Sequence, residues 1–388
     1  MGWTMLYSIY GRQNMSYKER IQYNIMNTFS IKHSYSVKGV AILLLLFYHL
    51  FASKYEVLAM GVNYEPFPLE TFRILANFGH ICVAIFVFMT AFGISRGLFD
   101  QQELTPYKAY SQATKRFLKL MADYLFLFLS VNILWGRKFD YASIYGIGKQ
   151  GLLNFILDAT GIHSFYETPT INVTWWYMKI AYILIFLVPL LAIIAKSIGY
   201  PILIISLMIP LIIPLPYEME QYLFTATLGV CAAYGKWPEK LTNIRVPMIL
   251  QWLFGILGFV FCVLLHQNEF VQENYLFFAN GIIALFFMYF GGILMSCIPG
   301  VSKLLQFVGK HSMNIYCVHT FFYLLLWRQF IYQFRYAGVI LLVLLVCSLF
   351  YSVVLEFIKK YLLVFFKSMK LVWEKLARKI RINKKDNA

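Results

Sequence analysis

KGVAILLLLFYHLF, residues 38–51, places a cation and an imidazole in an otherwise apolar run. Lys38 and His49 are eleven residues apart. At about 100° per residue, eleven steps return to within ~20° of the start, so both side chains share one helix face. Along the axis they are separated by roughly 16 Å, about half the hydrocarbon thickness of a bilayer. An ionisable group at that depth is expensive, which makes it a functional candidate from the outset. A lone membrane histidine is equally a packed, hydrogen-bonded helix contact, so the pair needs corroboration.

The rest of the chain places that helix in lipid. Hydrophobic residues make up 60% of the 388, charged residues only 13%. Such a composition belongs to an all-α polytopic membrane protein rather than to a soluble enzyme. Apolar runs recur at about 38–53, 77–95, 119–135, 174–195, 199–215, 221–235, 247–266, 275–298, 304–327 and 338–358. The expectation is therefore about ten transmembrane helices in one bundle. Pro201, Pro210, Pro214 and Pro216 make the fifth and sixth the weakest. Residues 1–35 are polar and charged, with no cleavable leader pattern before the first span.

Charge placement orients the bundle. With the N-terminus inside, the inner loops carry Arg96, Lys108, Lys115, Arg116, Lys119, Lys196, Lys236, Lys240, Arg245 and Lys303. Lys359, Lys360 and eight further cations follow in the tail. The outer loops keep fewer, among them Lys54, Arg73, Arg137, Lys138, Arg328 and Arg335. The positive-inside rule then puts both the N- and C-termini in the cytoplasm. Three parts are expected: a cytoplasmic segment at 1–35, a membrane domain at 36–358 and a basic amphipathic tail at 359–388. In the tail, Leu371, Val372, Leu376 and Ile380 lie among the cations and read as an interfacial helix. The net charge of +16 needs no nucleic acid, because juxtamembrane cations meet anionic membrane lipid.

The six cysteines, Cys82, Cys231, Cys262, Cys297, Cys317 and Cys347, all fall in hydrophobic stretches without paired spacing. They read as small apolar residues, and no metal site is expected. Phosphate-loop and zinc signatures are missing too. The long outer segment at about 136–173 holds the apolar patch GLLNFILDATGI and is expected to fold back on the bundle.

Three further patterns join the first. TKRFLKLMADY brings Arg116 and Lys119 to one face of a helix start, although positive-inside charge alone accounts for them. VTWWYMKIAYIL contains Trp175 and Trp176, which as a bland reading form an outer aromatic belt. In VGKHSMNIYCVHTFF, Ser312, Tyr316 and His319 fall at i, i+4 and i+7 and form a polar stripe.

In this order and spacing the patterns resemble the acyltransferase-3 family of integral membrane acyltransferases, which acylate cell-surface glycans. Lys38 and His49 match its basic residue, ten intervening positions and histidine, with Lys where Arg is commoner. GHICVAIFVFMTAFGISRG is similar to the second-helix block, with Thr90-Ala91 where Ser-Gly is usual. Arg116 to Lys119 is similar to the RxxR element, Lys replacing its second Arg. Trp175-Trp176-Tyr177 matches the WW segment, and Gly309, Ser312, Tyr316 and His319 match the late G-x-x-S-x-x-x-Y-x-x-H. The resemblance runs over about 32–358. It implies a multi-pass enzyme of the bacterial inner (plasma) membrane that moves an acyl group from cytoplasmic acyl-CoA to a hydroxyl of a surface or lipid-linked glycan. Acetyl from acetyl-CoA is the first expectation and succinyl the second, with exopolysaccharide among the acceptors. The enzyme would act alone or with a partner in glycan biosynthesis.

Physical chemistry supplies roles. Acyl-CoA is anionic, so Lys38, Arg116 and Lys119 would bind its phosphates at the inner face. A pantetheine arm of roughly 15–20 Å matches the rise from Lys38 to His49. Neutral imidazole is the cheaper form to bury, and His49 would act as base or as transient acyl carrier. His319, Tyr316 and Ser312 are the remaining catalytic candidates, for orienting His49 or stabilising an oxyanion. Trp175 and Trp176 would stack on the sugar, with Glu65, Glu70, Asp158, His163 and Glu167 as polar contacts. The alternative class is a glycan transporter or polymerase. Matched broken helices or a large outer loop with paired arginines would favour it, and the Pro-rich interruption at 199–216 has no counterpart.

Overall fold

The structure, a computed structural model, describes residues 31–386 apart from 243–245 and 296–297. Most of the expected N-terminal segment, Cys297 and the side chains carrying the amphipathic reading of the tail lie outside the described residues. Among those described there is no strand, only one isolated bridge between Asn63 and Tyr336.

Helix α1 spans Ile31–Phe51. A short turn at Lys54–Ala59 leads to α2, Leu69–Phe99, which tightens to a 3-10 turn at Gly79–Ile81. Helix α3 covers Pro106–Trp135: the Thr105 hydroxyl accepts from the Lys108 N–H, and Pro106 sits in the first turn, where no N–H is needed. Helix α4, Gly148–Ala159, lies in the segment at 136–173. Then come α5 (Tyr177–Ile198), α6 (Pro201–Ile212), α7 (Tyr217–Tyr234) and α8 (Met248–Gln267). Helix α9, Leu276–Phe287, widens to a π-helix over Met288–Leu294. After α10, Pro299–Lys310, a turn at His311 starts α11, Ser312–Thr320, which widens to a π-helix over Phe321–Leu326. Helix α12 runs unbroken over Ala337–Asp386.

Each of the ten apolar stretches thus contains helix among its described residues, but they differ in reach. Six described helices have the length and composition to cross a membrane: Ile31–Phe51, Leu69–Phe99, Pro106–Lys138, Val173–Ile198, Met248–Gln267 and Ala337–Phe365. Pro201–Ile212, Leu276–Gly292 and Ser312–Leu326 are apolar and shorter. The reasons are local. Helix α6 stops just before Pro214 and Pro216, and the turn at His311 splits the stretch at 304–327 into two helices. Helix α12, at 50 residues, is about 75 Å long and so must project well beyond a hydrocarbon layer of roughly 30 Å. It is held on α3 by the Ser130–Tyr351 hydroxyl pair at 2.6 Å and by the Lys359–Asp123 ion pair.

Helix α1 is the hub of the bundle, packing on α2, α10, α11 and the π-helical end of α9. Its closest crossing, with α10, depends on two glycines. A Cβ on Gly39 would run into the Leu305 carbonyl, and one on Gly309 into the Tyr35 carbonyl. Small residues at such a crossing let backbones touch. This gives the late Gly309 a packing reason: it brings the α10–α11 unit against the face that carries Lys38 and His49. We expect Gly309→Val to cost about 3 kcal/mol or more through overpacking. Folded protein recovered from membranes should fall sharply, and normal recovery with normal thermal stability would contradict this.

The segment at 136–173 folds back as expected, with Phe155 of α4 packed on Phe128 of α3 at 5.2 Å between centroids. Its centre is Asp158, 0% exposed. The carboxylate accepts from the Tyr145 hydroxyl at 2.6 Å, the Thr170 hydroxyl at 2.8 Å and the Ile171 N–H at 3.0 Å. His163 Nδ1 lies 3.2 Å away, at ion-pair distance but off the line of a hydrogen bond. Asp158 and His163 therefore build the segment and do not face an acceptor. Burial raises the Asp158 carboxyl to about 6 and lowers the His163 imidazole to about 4. The two act oppositely. The Asp158 contribution is full below its unfolded value of about 3.9 and is lost as pH rises through the folded value. The His163 contribution is full above its unfolded value of about 6.5 and is lost as pH falls through the folded value. In the intact pair they offset each other. We expect His163→Gln to leave only the first, so protection of residues 148–173 against hydrogen exchange should weaken between about pH 4 and 6. An unchanged pH profile would overturn this.

Candidate active site

The face predicted from Lys38 opens on a cavity. It has a volume of about 260 Å³ and is lined by Lys38 and Leu45 of α1, Thr90 of α2, Leu120 of α3, Tyr177 of α5, and Ser312 and Tyr316 of α11. Lys38 is half-buried at one end, with no carboxylate at ion-pair distance among the described residues. Leu45 lies one turn short of His49, so the cavity follows the helix face from the cation towards the imidazole. The wall is apolar apart from Lys38, Thr90, Tyr177, Ser312 and Tyr316. Such a space suits a long, thin, mostly uncharged chain with a charged head at the Lys38 end.

Beyond it, α1 and α11 bring two imidazoles together. The rings of His49 and His319 have centroids 4.9 Å apart. His319 is 0% exposed, and its Nδ1 lies 2.7 Å from the Tyr316 carbonyl. A carbonyl only accepts, so Nδ1 carries the proton and the neutral ring presents a bare lone pair at Nε2. That Nε2 is buried with no hydrogen-bond partner. A stranded buried acceptor costs about 1–3 kcal/mol, the kind of defect that persists where a substrate group completes the bond. With no N–H there, neutral His319 cannot donate to an oxyanion; it is arranged to accept a proton.

His49 is half-buried. Its Nδ1 faces the Tyr323 hydroxyl at 3.4 Å, leaving Nε2 for chemistry. On α2, His80 approaches the neighbouring Tyr48 with centroids 5.4 Å apart. Tyr323, Tyr177 and Thr90 escaped the sequence reading as site residues. For Tyr323 the signal was present: it lies eleven residues after Ser312 and continues the stripe of Tyr316 and His319.

The other candidates are distributed unevenly. Ser312 and Tyr316 share the cavity wall with Lys38. Arg116 is half-buried one turn before Leu120, with its guanidinium against Gly97 of α2. Lys119 is exposed on the outside of α3. The largest departure concerns Trp175, which is 0% exposed. Its indole Nε1 donates to the Cys317 carbonyl at 2.9 Å, while Tyr124, Phe128 and Phe321 pack around the ring. Asn172 reinforces the joint, donating to the Thr320 hydroxyl at 2.7 Å. Trp175 thus pins the start of α5 to α11 where that helix begins to widen, and has no face free for a sugar. Trp176 is half-buried. Of the cysteines described, Cys82, Cys231, Cys262 and Cys317 are buried and Cys347 is half-buried, all as free thiols. No group of three or more potential metal ligands occurs among the described residues.

No curated protein and no solved structure matches the chain. The family profile described as an acyltransferase domain matches residues 36–358, from the start of the cavity-lining face of α1 to the membrane part of α12. With that match over most of its length, the chain belongs to the acyltransferase-3 family of membrane acyltransferases.

Proposed function

We propose that this protein carries an acyl group, acetyl first among the choices, from cytoplasmic acyl-CoA to a hydroxyl of a cell-surface or lipid-linked glycan. The observation that carries the reading is a cavity with Lys38 at one end, pointing along α1 to a close histidine pair. In this reading ten helices span the membrane and both termini are cytoplasmic, which puts Lys38 at the inner edge and His49 in the outer half. The phosphates of the donor meet Lys38 and Arg116, with the exposed Lys119 as an outlying contact. The pantetheine arm lies between Thr90, Tyr177, Ser312 and Tyr316. At the far end His49 Nε2 meets the thioester. His49 Nε2 attacks the thioester carbon and takes up the acyl group as the C–S bond breaks; His319 Nε2 then takes the proton of the incoming hydroxyl, the C–O bond forms as the C–N bond to His49 breaks, and the proton passes to the departed thiolate. Trp176, rather than the buried Trp175, is left to contact the sugar.

Mass spectrometry of surface glycans from cells with and without the protein tests the reading. A difference of one acetyl group per modified unit supports it. A succinyl difference changes the donor, and unchanged glycan with altered export would favour a transporter. Inside-out membrane vesicles supplied with radiolabelled acetyl-CoA test the cations. Lys38→Ala should raise KM about 10- to 100-fold with kcat little changed, because a charge-assisted phosphate contact is made equally in ground and transition states. Arg116→Ala should act in the same direction, and unchanged KM in both would remove the phosphate assignment.

A further inference from the structure

Tyr323 touches both imidazoles at once. Its ring stacks on His319, with centroids 5.8 Å apart and planes within 14°, and its hydroxyl lies 3.4 Å from His49 Nδ1. It sits in the π-helical end of α11, a widening that frequently marks functional sites. We propose that Tyr323 is a positioning residue for His49: its hydroxyl holds Nδ1 so that Nε2 faces His319 and the end of the cavity, and its ring keeps His319 parallel behind it. This rests on the acyl-transfer reading above.

The surroundings support a dedicated role. The groups facing His49 are Tyr48 on its own helix, His80 on α2, and His319 and Tyr323 on α11. Of these, only Tyr323 has a hydrogen-bonding atom within reach of a His49 nitrogen. Tyr323 is itself held in place. Arg328 pairs with Glu56 at 2.5 Å, joining the residues just after α11 to those just after α1, and Glu56 lies within electrostatic reach of Tyr323. Tyr332 adds a second tie, donating to the Leu50 carbonyl at 3.0 Å. These links fix the ends of α1 and α11 beside the pair. The 3.4 Å contact is long for a neutral bond and has room to shorten once His49 carries positive charge.

Tyr323→Phe keeps the ring on His319 and removes only the hydroxyl. In inside-out vesicles given radiolabelled acetyl-CoA and carrying the cell's own glycan, kcat should fall about tenfold, the scale of one hydrogen bond, while KM for acetyl-CoA stays put. Tyr323→His, which retains a hydrogen-bonding ring, should recover part of that loss. Wild-type kcat in the Phe variant, or equal loss in both variants, overturns the positioning role. A rise in KM with unchanged kcat overturns it also, because the hydroxyl would then serve donor binding. Two controls separate the levels: wild-type vesicles that transfer no acetyl remove the acyl-transfer reading itself, and activity in His49→Ala removes His49 from the reaction together with this inference, whereas an inactive His49→Ala beside a fully active Tyr323→Phe removes only this inference.

Discussion

His49→Ala should abolish glycan acylation, with a fall of at least about 10³-fold, while leaving the protein inserted at normal abundance. The size follows from the position: His49 lies beside His319 with its Nδ1 turned to Tyr323, one turn beyond the cavity-lining Leu45. A nucleophile that bonds the reacting carbon carries several kcal/mol of barrier. The fold should survive because half-buried His49 makes one loose hydrogen bond, whereas the α1–α10 crossing rests on Gly39 and Gly309. Surface glycan from cells expressing the variant, read by mass spectrometry beside an immunoblot of membranes, gives the answer. Normal acylation at normal abundance would remove His49 from the reaction.

His319→Asn is the second large effect, and its geometry separates anchoring from chemistry. The Asn amide sits where Nδ1 does, so it keeps the donor to the Tyr316 carbonyl and loses only the Nε2 lone pair. A proton acceptor of this type contributes about 10²–10⁴-fold, so kcat should fall by that factor while KM for acetyl-CoA holds. His319→Gln reverses the exchange, reaching the Nε2 position without the anchor, and should be inactive as well. Activity retained in the Asn variant would mean that His319 serves only to hold Tyr316 and the cavity wall. The chemistry would then fall to His49 alone.

Much of this site could be read before any contact was known, because helical phase is a local property. Lys38 and His49 share a face through their spacing, and Ser312, Tyr316 and His319 form a stripe for the same reason. The same arithmetic reaches Tyr323, though nothing local distinguishes its hydroxyl from those of the other tyrosines. The aromatic pair was misleading in a different way. Two tryptophans at the start of an apolar run look like an interfacial belt, and Trp176 remains half-buried. Trp175 instead finds the Cys317 carbonyl 142 positions away, a partner no window on the sequence can contain. Asp158 and His163 looked like outward polar contacts and proved to be the buried centre of their own segment. Burial is a property of what covers a residue, and the cover comes from Tyr145, Thr170 and Ile171.

By itself the sequence determined the helical class, the membrane setting, the family and which side chains share a face, since each depends on composition or on a period of 3.6 residues. The tertiary structure decided which faces meet. Gly309 lets α10 close on α1, and α11 then carries its stripe to the same side, so His319 arrives beside His49 and Tyr323 bridges them. The cause is close packing between segments nearly three hundred residues apart, where two absent methyl groups set the distance between helices, and that distance makes a reactive pair from two isolated histidines.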